Sequence, residues 1–370
     1  MKVRDIASAI ESLLPPALAQ SWDNVGLLVG DPDADARRIL VTIDTTGAVV
    51  REAKRLNVDL IVSYHPIIWD GLKRITAAGP TAAVYELIRA GIAVYSIHTS
   101  LDAIAGGVND GLADAIGLVD AEPIGDFVED PAGPRYKVVT FVPAGDLDKV
   151  AEALYQAGAG AIGNYSHCGF QTEGTGTFLP LDGAHPAIGT RGRLETVPEI
   201  RIEAVVSADK VAAVIAALRK AHPYETPAFD VFQHHDVERR LGLGRMGRVA
   251  KAAKVRNLLA KIKKTTGAKA AGIVGSQDRL VRKAAVCAGS CGKILQAVIA
   301  AGCDLYLTGE LKHHEALAVQ EAGVTAVCLS HTVSERFALR KLIKELNTVL
   351  PLVTILQSTK DADPFEWKMI

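Results

Sequence analysis

Short apolar runs alternate with amphipathic stretches through the first third of the chain. RRILVTID (residues 37–44) reads as a strand and TTGAVVREAKRLN (45–57) as the helix that follows it. DLIVSYHP (59–66) is the next strand, TAAVYELIRAG (81–91) a helix, and IAVYSIHTS (92–100) another strand. Runs of strand length between helical patterns predict an α/β layer architecture. The same alternation returns near the C-terminal end. There RKAAVCAG, CDLYLTGE and VTAVCLSH read as strands, with GKILQAVIAAG, LKHHEALAVQEAG and SERFALRKLIKEL as helices.

The texture changes between these halves. FVEDPAGPRY (127–136), rich in Pro, Gly and acid, reads as a linker. KVVTFVP and DLDKVAEALYQAG form a strand and a helix; EIRIEAVVS, ADKVAAVIAALRKAHP and AFDVFQH form a strand–helix–strand unit. This doubled βαβ pattern predicts a small ferredoxin-like α+β module. The segment Arg240–Arg245, with Gly242 and Gly244, is read as the return of the chain to the first domain. The expectation is one split α/β domain, residues 1–127 and 244–370, interrupted by an insert at 128–243.

Composition narrows the classes. Of 370 residues, 49% are hydrophobic and 22% charged, a globular balance that argues against disorder. The 41 Lys and Arg stand against 42 Asp and Glu, so no basic surplus points to nucleic acid. MKVRDIASAIESLLPP has apolar residues at helical spacing and lacks the apolar core and cleavage site of a signal peptide. No segment is apolar over the roughly 20 residues that a membrane span needs. The 5 cysteines are odd in number and sparse, which fits buried thiols in a reducing cytoplasm better than a disulfide framework.

Four groups of candidate residues stand at the ends of predicted strands, where open α/β sheets place their sites. His65 closes one strand and could offer a neutral imidazole to a metal, with Pro66 fixing the turn; a histidine bonded to backbone is the competing reading. After IAVYSI come His98 and Asp102. The Asp102 carboxylate could bridge two cations and His98 could orient it or transfer protons, whereas the alternative makes Asp102 a helix cap, a role for which Asn109 is as well suited. His331 and Glu335 lie one helical turn apart, spacing that suits a metal held by one nitrogen and one carboxylate; Thr332 with Glu335 equally fits a capping box that needs no metal. In the fourth, TGELKHH, His314 or Glu310 could support the site or act as acid or base, while His313 reads as solvated. The glycines of Ala288–Lys293 fail as a phosphate loop, because Cys287 and Ile294 occupy positions that demand Gly and Ser or Thr.

Together these motifs resemble the GTP cyclohydrolase 1 type 2 homologues, also called Nif-three-like or dinuclear-metal-centre proteins. The stretches that carry the likeness are SWDNVGLLVGD (21–31), SYHPIIWDGLK (63–73), SIHTSLDA (96–103), LTGELKHHEA (307–316) and LSHTVSERFAL (329–339). Within the insert, GNYSHCGFQTEGTGTFLP (163–180) and HPYETPAFDVF (222–232) are similar to the longer members. The resemblance implies two divalent transition metal ions, zinc, iron or manganese, held by His65, Asp102, His331 and Glu335. It implies bridging roles for the two carboxylates, with His98 or His314 as the proton carrier. Tyr64 stands where a second His is common; neutral Tyr is a poor ligand, so the second metal position is expected to be the weaker one. Cys291 stands where a Gly is usual. The resemblance further implies a homohexameric ring, a PII-like or CutA-like insert, and a metal-dependent hydrolase of a nucleotide-like substrate. The other reading is a non-catalytic metal-binding regulator or scaffold that senses a small molecule.

Overall fold

The computed structural model describes residues 1–128, 135–162, 165–234 and 241–366. The chain divides into two compact units, Met1–Glu129 with Arg240–Ile370, and Asp130–Arg239. The linker expected over residues 127–136 falls mostly outside the described residues.

The first unit opens with α1 (Val3–Leu13), which buries Val3, Ile6, Ala7 and Ile10 at helical spacing. There follow β1 (Gly26–Val29), β2 (Arg38–Thr42), α2 (Gly47–Arg55), β3 (Leu60–Ser63), α3 (Ala82–Ala90) and β4 (Ala93–Ser96). Then come α4 (His98–Ala103), α5 (Val108–Ile116) and β5 (Leu118–Val128).

The second unit holds β6 (Arg135–Pro143), α6 (Leu147–Gln156), β7 (Gly169–Phe178), β8 (Glu195–Ser207), α7 (Val211–Ala221) and β9 (Phe229–His234). Its strands form one antiparallel sheet in the order β7-β8-β6-β9. Val150 and Leu154 of α6 share a core with Val214 and Leu218 of α7 and with Val138, Val142, Ile202 and Val206 of the sheet. Sequence pattern does not announce β7, because its residues are almost all exposed and carry no alternation. His222 has a structural role here: its Nε2 donates to Phe141 O at 2.9 Å and its Nδ1 accepts from Tyr224 N at 3.1 Å.

The first unit resumes with β10 (Leu241–Lys254), α8 (Val255–Thr266), β11 (Gly272–Val274), β12 (Leu280–Cys287), α9 (Leu295–Ala300) and β13 (Leu305–Thr308). It ends with α10 (His313–Glu321), β14 (Thr325–Cys328), α11 (Val333–Arg336), α12 (Leu339–Val349) and β15 (Thr354–Gln357). From Leu241 onward the return segment is the start of β10, and a Cβ at Gly244 would lie 2.8 Å from Ile124 and Ile294 side-chain atoms, so glycine permits the close crossing. One expectation is corrected. The single helix expected over residues 334–346 is two, α11 and α12, separated at Phe337, whose ring packs where a Cβ at Gly111 would come within 2.7 Å.

The first unit contains two sheets, β1-β4-β3-β2-β15 and β11-β14-β13-β12-β10-β5. β2, β3 and β4 run parallel, as do β12, β13 and β14. Alternate side chains of one strand serve different cores. Ile39, Val41, Leu60, Val62, Ala284, Val286, Leu305 and Leu307 join one core with α1, α5, α8 and α12. Leu40 and Ile61 face the other way, onto α2 and α3, and Ala285 and Tyr306 onto α9 and α10. The second half thus repeats the element order of the first, α8 to β15 matching α1 to β5 with β10 added ahead. Each half also places its final strand in the other half's sheet: β15 pairs with β2, and β5 pairs with β10 beside β12. Among the described residues no helix is long and apolar enough to cross a membrane.

Candidate metal centre

The matching halves bring the C-terminal ends of two triplets of parallel strands to one place. Asp44 follows β2, His65 follows β3, and His98 opens α4 after β4; Gly289, Glu310 and His331 follow β12, β13 and β14. The backbone holds these residues before the chain turns away. Tyr64 N and His65 N donate to Thr42 O and Ile43 O at 2.9 and 3.0 Å, prolonging the β2–β3 pairing. Ser330, just before His331, adopts a left-handed φ of 75°, held by its N–H on Gly309 O and by its Oγ on Asp363 at 2.6 Å.

Three histidines here are each backed by a carboxylate. Nδ1 of His65 lies 2.9 Å from Asp44, Nδ1 of His98 2.8 Å from Asp23, and Nδ1 of His331 2.9 Å from Glu310. An ionised carboxylate only accepts, so each Nδ1 carries the hydrogen and each Nε2 is left free to bind a metal or a proton. Nε2 of His65 and of His331 lie 3.5 and 3.3 Å from the two different oxygens of Glu335. Ligand atoms of His65, His331 and Glu335 all fall within 4.8 Å of one another.

Two atoms of this group face each other at 3.5 Å without a hydrogen bond. His65 Nε2 and Glu335 Oε2 are buried without a hydrogen-bond partner, two of four such side-chain atoms among the described residues. Leaving one such atom unsatisfied costs about 1–3 kcal/mol, and more when it is charged. A cation between them would satisfy both, so the residues present fit a metal. The backbone leaves room for it: a Cβ at Gly289, where φ is +68°, would lie 2.8 Å from Glu335 Oε1 and 3.4 Å from His331 Nε2. Gly289 N is itself fixed by Ser334 Oγ at 2.9 Å.

Asp102 sits on α4 and accepts a short hydrogen bond from the Tyr64 hydroxyl. Burial raises the Tyr64 phenol well above its usual value and the neighbouring Asp102 carboxylate adds to this, so Tyr64 is a neutral donor that aims Asp102. Burial pushes Asp102 up to about 6, against the opposing pull of His98. Burial also works against ionisation of Asp23 and Asp44, but the bonds from His98 and His65 outweigh it and hold both below their usual value.

Thr332 makes no capping bond; its Oγ1 accepts from Arg336 instead, at 3.0 Å. Asn109 is not a helix cap: buried inside α5, it donates to Asp102 O and accepts from Ala288 N, joining the two halves beneath the site. His98 is buried, its ring centroid 5.2 Å from that of His65. His314 is exposed in the first turn of α10 and lies outside the His65–His331–Glu335 group, and His313 is also exposed. Asp44 and Asp23 were not singled out from the sequence. Asp44 carried the same signal as His65, an ionisable residue closing a strand; Asp23 lies 75 positions from its partner His98, and its one mark in the sequence is its place in the stretch SWDNVGLLVGD.

The Duf34/NIF3 (NGG1p interacting factor 3) family model matches residues 1–364. The chain is 41% identical over 323 residues to the GTP cyclohydrolase 1 type 2 homolog of Mycobacterium tuberculosis, covering 85% of this chain and 83% of that protein. It is 36% identical over 366 residues to the homolog of Bacillus subtilis, covering 98% and 97%. The crystal structure of a Bacillus cereus protein related to NIF3 matches with a TM-score of 0.81 at 35% identity, covering 100% of this chain and 99% of that one.

Proposed function

The chain belongs to the Duf34/NIF3 family, and on that premise we propose that it is a dinuclear metal-binding protein and a metal-dependent hydrolase of a nucleotide-like substrate. The observation that carries this reading is the buried, unsatisfied pair His65 Nε2 and Glu335 Oε2 among carboxylate-backed histidines. Two divalent transition metal ions held by His65, Asp102, His331 and Glu335 would supply Lewis acidity and a nucleophile from water near neutral pH. Glu335 suits a bridging role because its two oxygens address two different imidazoles. Five carboxylates, Asp23, Asp44, Asp102, Glu310 and Glu335, surround three imidazoles, a balance that favours more than one dication. His98 is the proton carrier in this scheme, with Asp23 fixing its tautomer so that Nε2 takes and returns the proton. His314 is left without that role because it is exposed and lies outside the cluster.

Elemental analysis joined to turnover tests the reading. Wild-type protein retains transition metal and hydrolyses GTP or another nucleotide; His331→Ala/Glu335→Ala loses the metal and at least about 100-fold of the rate. Unchanged metal content in the double variant, or turnover indifferent to a chelator, overturns it.

A second reading, a metal-binding regulator, draws support from the insert. A cleft of about 580 Å³ lies there between Phe141, Phe178, Ile188, Glu199 and Tyr224, suited to a small molecule. The strand order β7-β8-β6-β9 with two helices on one core supports a ferredoxin-like insert of the PII or CutA kind. We carry the homohexameric ring and the cytoplasmic location as part of the same proposal. Light scattering at six times the 39.2 kDa chain mass is the expected result for the ring.

A further inference from the structure

Two tryptophans stand half-exposed beside the metal centre, Trp22 at 52% and Trp69 at 51%. Both meet the same buried imidazole, His98, edge to face: Trp22 at 5.9 Å and 74°, Trp69 at 5.2 Å and 87°. Trp69 also lies 6.2 Å from the His65 ring. The two loops that carry them are tied together, since Asn24 Nδ2 donates to Ile68 O at 2.7 Å. Asp23, next to Trp22, holds His98 and accepts from Thr99 N and Oγ1, so the Trp22 loop is anchored on α4 as well. The Lys293 ammonium lies 5.6 Å from the centre of the Trp22 ring and makes no ion pair among the described residues.

We propose that Trp22 and Trp69 form a stacking platform for a planar heteroaromatic ring, with Lys293 receiving an anionic group on the same ligand, so that the site selects a nucleoside phosphate. This rests on the hydrolase reading above and specifies how such a substrate is recognised. Indole faces are the best protein surface for stacking a base, and each loses little freedom in doing so. Two half-exposed indoles pinned against one buried side chain are already ordered, so the ligand does not have to order them. A free cation beside one of them complements a phosphate rather than an apolar partner surface. A second copy of the chain is the rival occupant; the lysine beside the Trp22 ring, unpaired among the described residues, suits an anionic ligand better.

The test uses full-length, zinc-loaded protein and follows tryptophan fluorescence and calorimetry with guanosine 5′-monophosphate, ribose 5-phosphate and guanosine. The nucleotide is expected to quench fluorescence and bind. Trp22→Ala and Trp69→Ala each weaken it about ten-fold or more, while Trp→Phe at either position recovers most of the loss. Ribose 5-phosphate binding is unmoved by the Trp variants, and Lys293→Ala weakens both phosphates but not guanosine. Equal nucleotide affinity in wild type and both Trp→Ala variants overturns the proposal. So does failure of the wild type to bind any of the three at millimolar concentration, or a change in sedimentation on Trp→Ala with no change in nucleotide binding. The two readings fail separately. Binding that needs the tryptophans without turnover removes the hydrolase and keeps the platform. Metal-dependent turnover indifferent to Trp22 and Trp69 removes the platform and keeps the hydrolase.

Discussion

His65 is caught between two opposing influences. Burial favours its neutral form, but the carboxylates of Asp44 and Glu335 outweigh burial and push it up to about 10. The metal-free centre therefore holds a proton on His65 at neutral pH, on the nitrogen that a cation would need. Zinc binding is expected to release protons and to strengthen as the pH rises toward 10, since each step upward weakens the competing proton. Calorimetry in buffers of different ionisation enthalpy measures this directly, and an absence of proton release at pH 7 contradicts it. Tyr64→Phe gives a second prediction. It removes the hydroxyl that aims Asp102 without opening a large cavity, and the zinc affinity is expected to fall about 10- to 100-fold in competition with a chelator. An unchanged affinity would show that Asp102 needs no such support. His65, Asp102, His331 and Glu335 were each legible as ionisable residues at strand ends, and each had a plausible structural alternative. Residue pattern alone did not bring them together, because their meeting depends on strand pairings between residues far apart in the chain; only the resemblance of the ordered motifs to a known family joined them. The role of Tyr64 was hidden for the same reason: as a letter it is a missing ligand, and only its contact makes it a donor.

At the scale of elements, the exchanged strand β15 is held at its far end by one side chain. Glu52, buried on α2, accepts from Ser358 Oγ at 2.6 Å, from Thr359 Oγ1 at 2.5 Å and N at 3.1 Å, and from Lys360 N at 3.3 Å. Burial opposes its charge, yet the bonds from Ser358 and Thr359 hold its carboxyl below the ordinary 4.5. A lowered value means stabilisation that is fully present above 4.5 and is lost as the pH falls through the folded-state value. Glu52→Ala is expected to cost about 2 kcal/mol at pH 7, and less at pH 3, below the ordinary value of 4.5, where the stabilisation from the lowered carboxyl is declining. Denaturant melts at the two pH values check it; an equal loss at both assigns the effect to packing alone. The paired parallel strands β2, β3, β12, β13 and β14 were readable because both of their faces are buried and their apolar runs are continuous. β15 and β7 were not: neither carries a continuous apolar run, and β7 stands almost wholly exposed. The break between α11 and α12 escaped because no Gly or Pro marks it in the local pattern; Phe337, at the break, packs against the distant Gly111.

At the scale of the molecule, the two ends of the first unit meet where the second unit departs. Val128 of β5 and Leu241 of β10 are register partners, so a short loop can join them. Replacing residues 136–234 by such a loop is expected to leave soluble protein with undiminished bound metal, measured by elemental analysis. Recovery only as insoluble protein would show that the first unit depends on the insert. The exchange of final strands has a consequence for how the chain is made. On the ribosome, His65 emerges hundreds of residues before His331, and β2 waits for β15 to complete its sheet. Neither half closes its own sheet, and neither owns a complete set of metal donors. On the proposed metal reading, capture of the ions would be a late event that coincides with the finished fold. A truncated or stalled chain would be left with scattered histidines and no centre, so the strand exchange would act as a built-in check that only whole molecules are loaded.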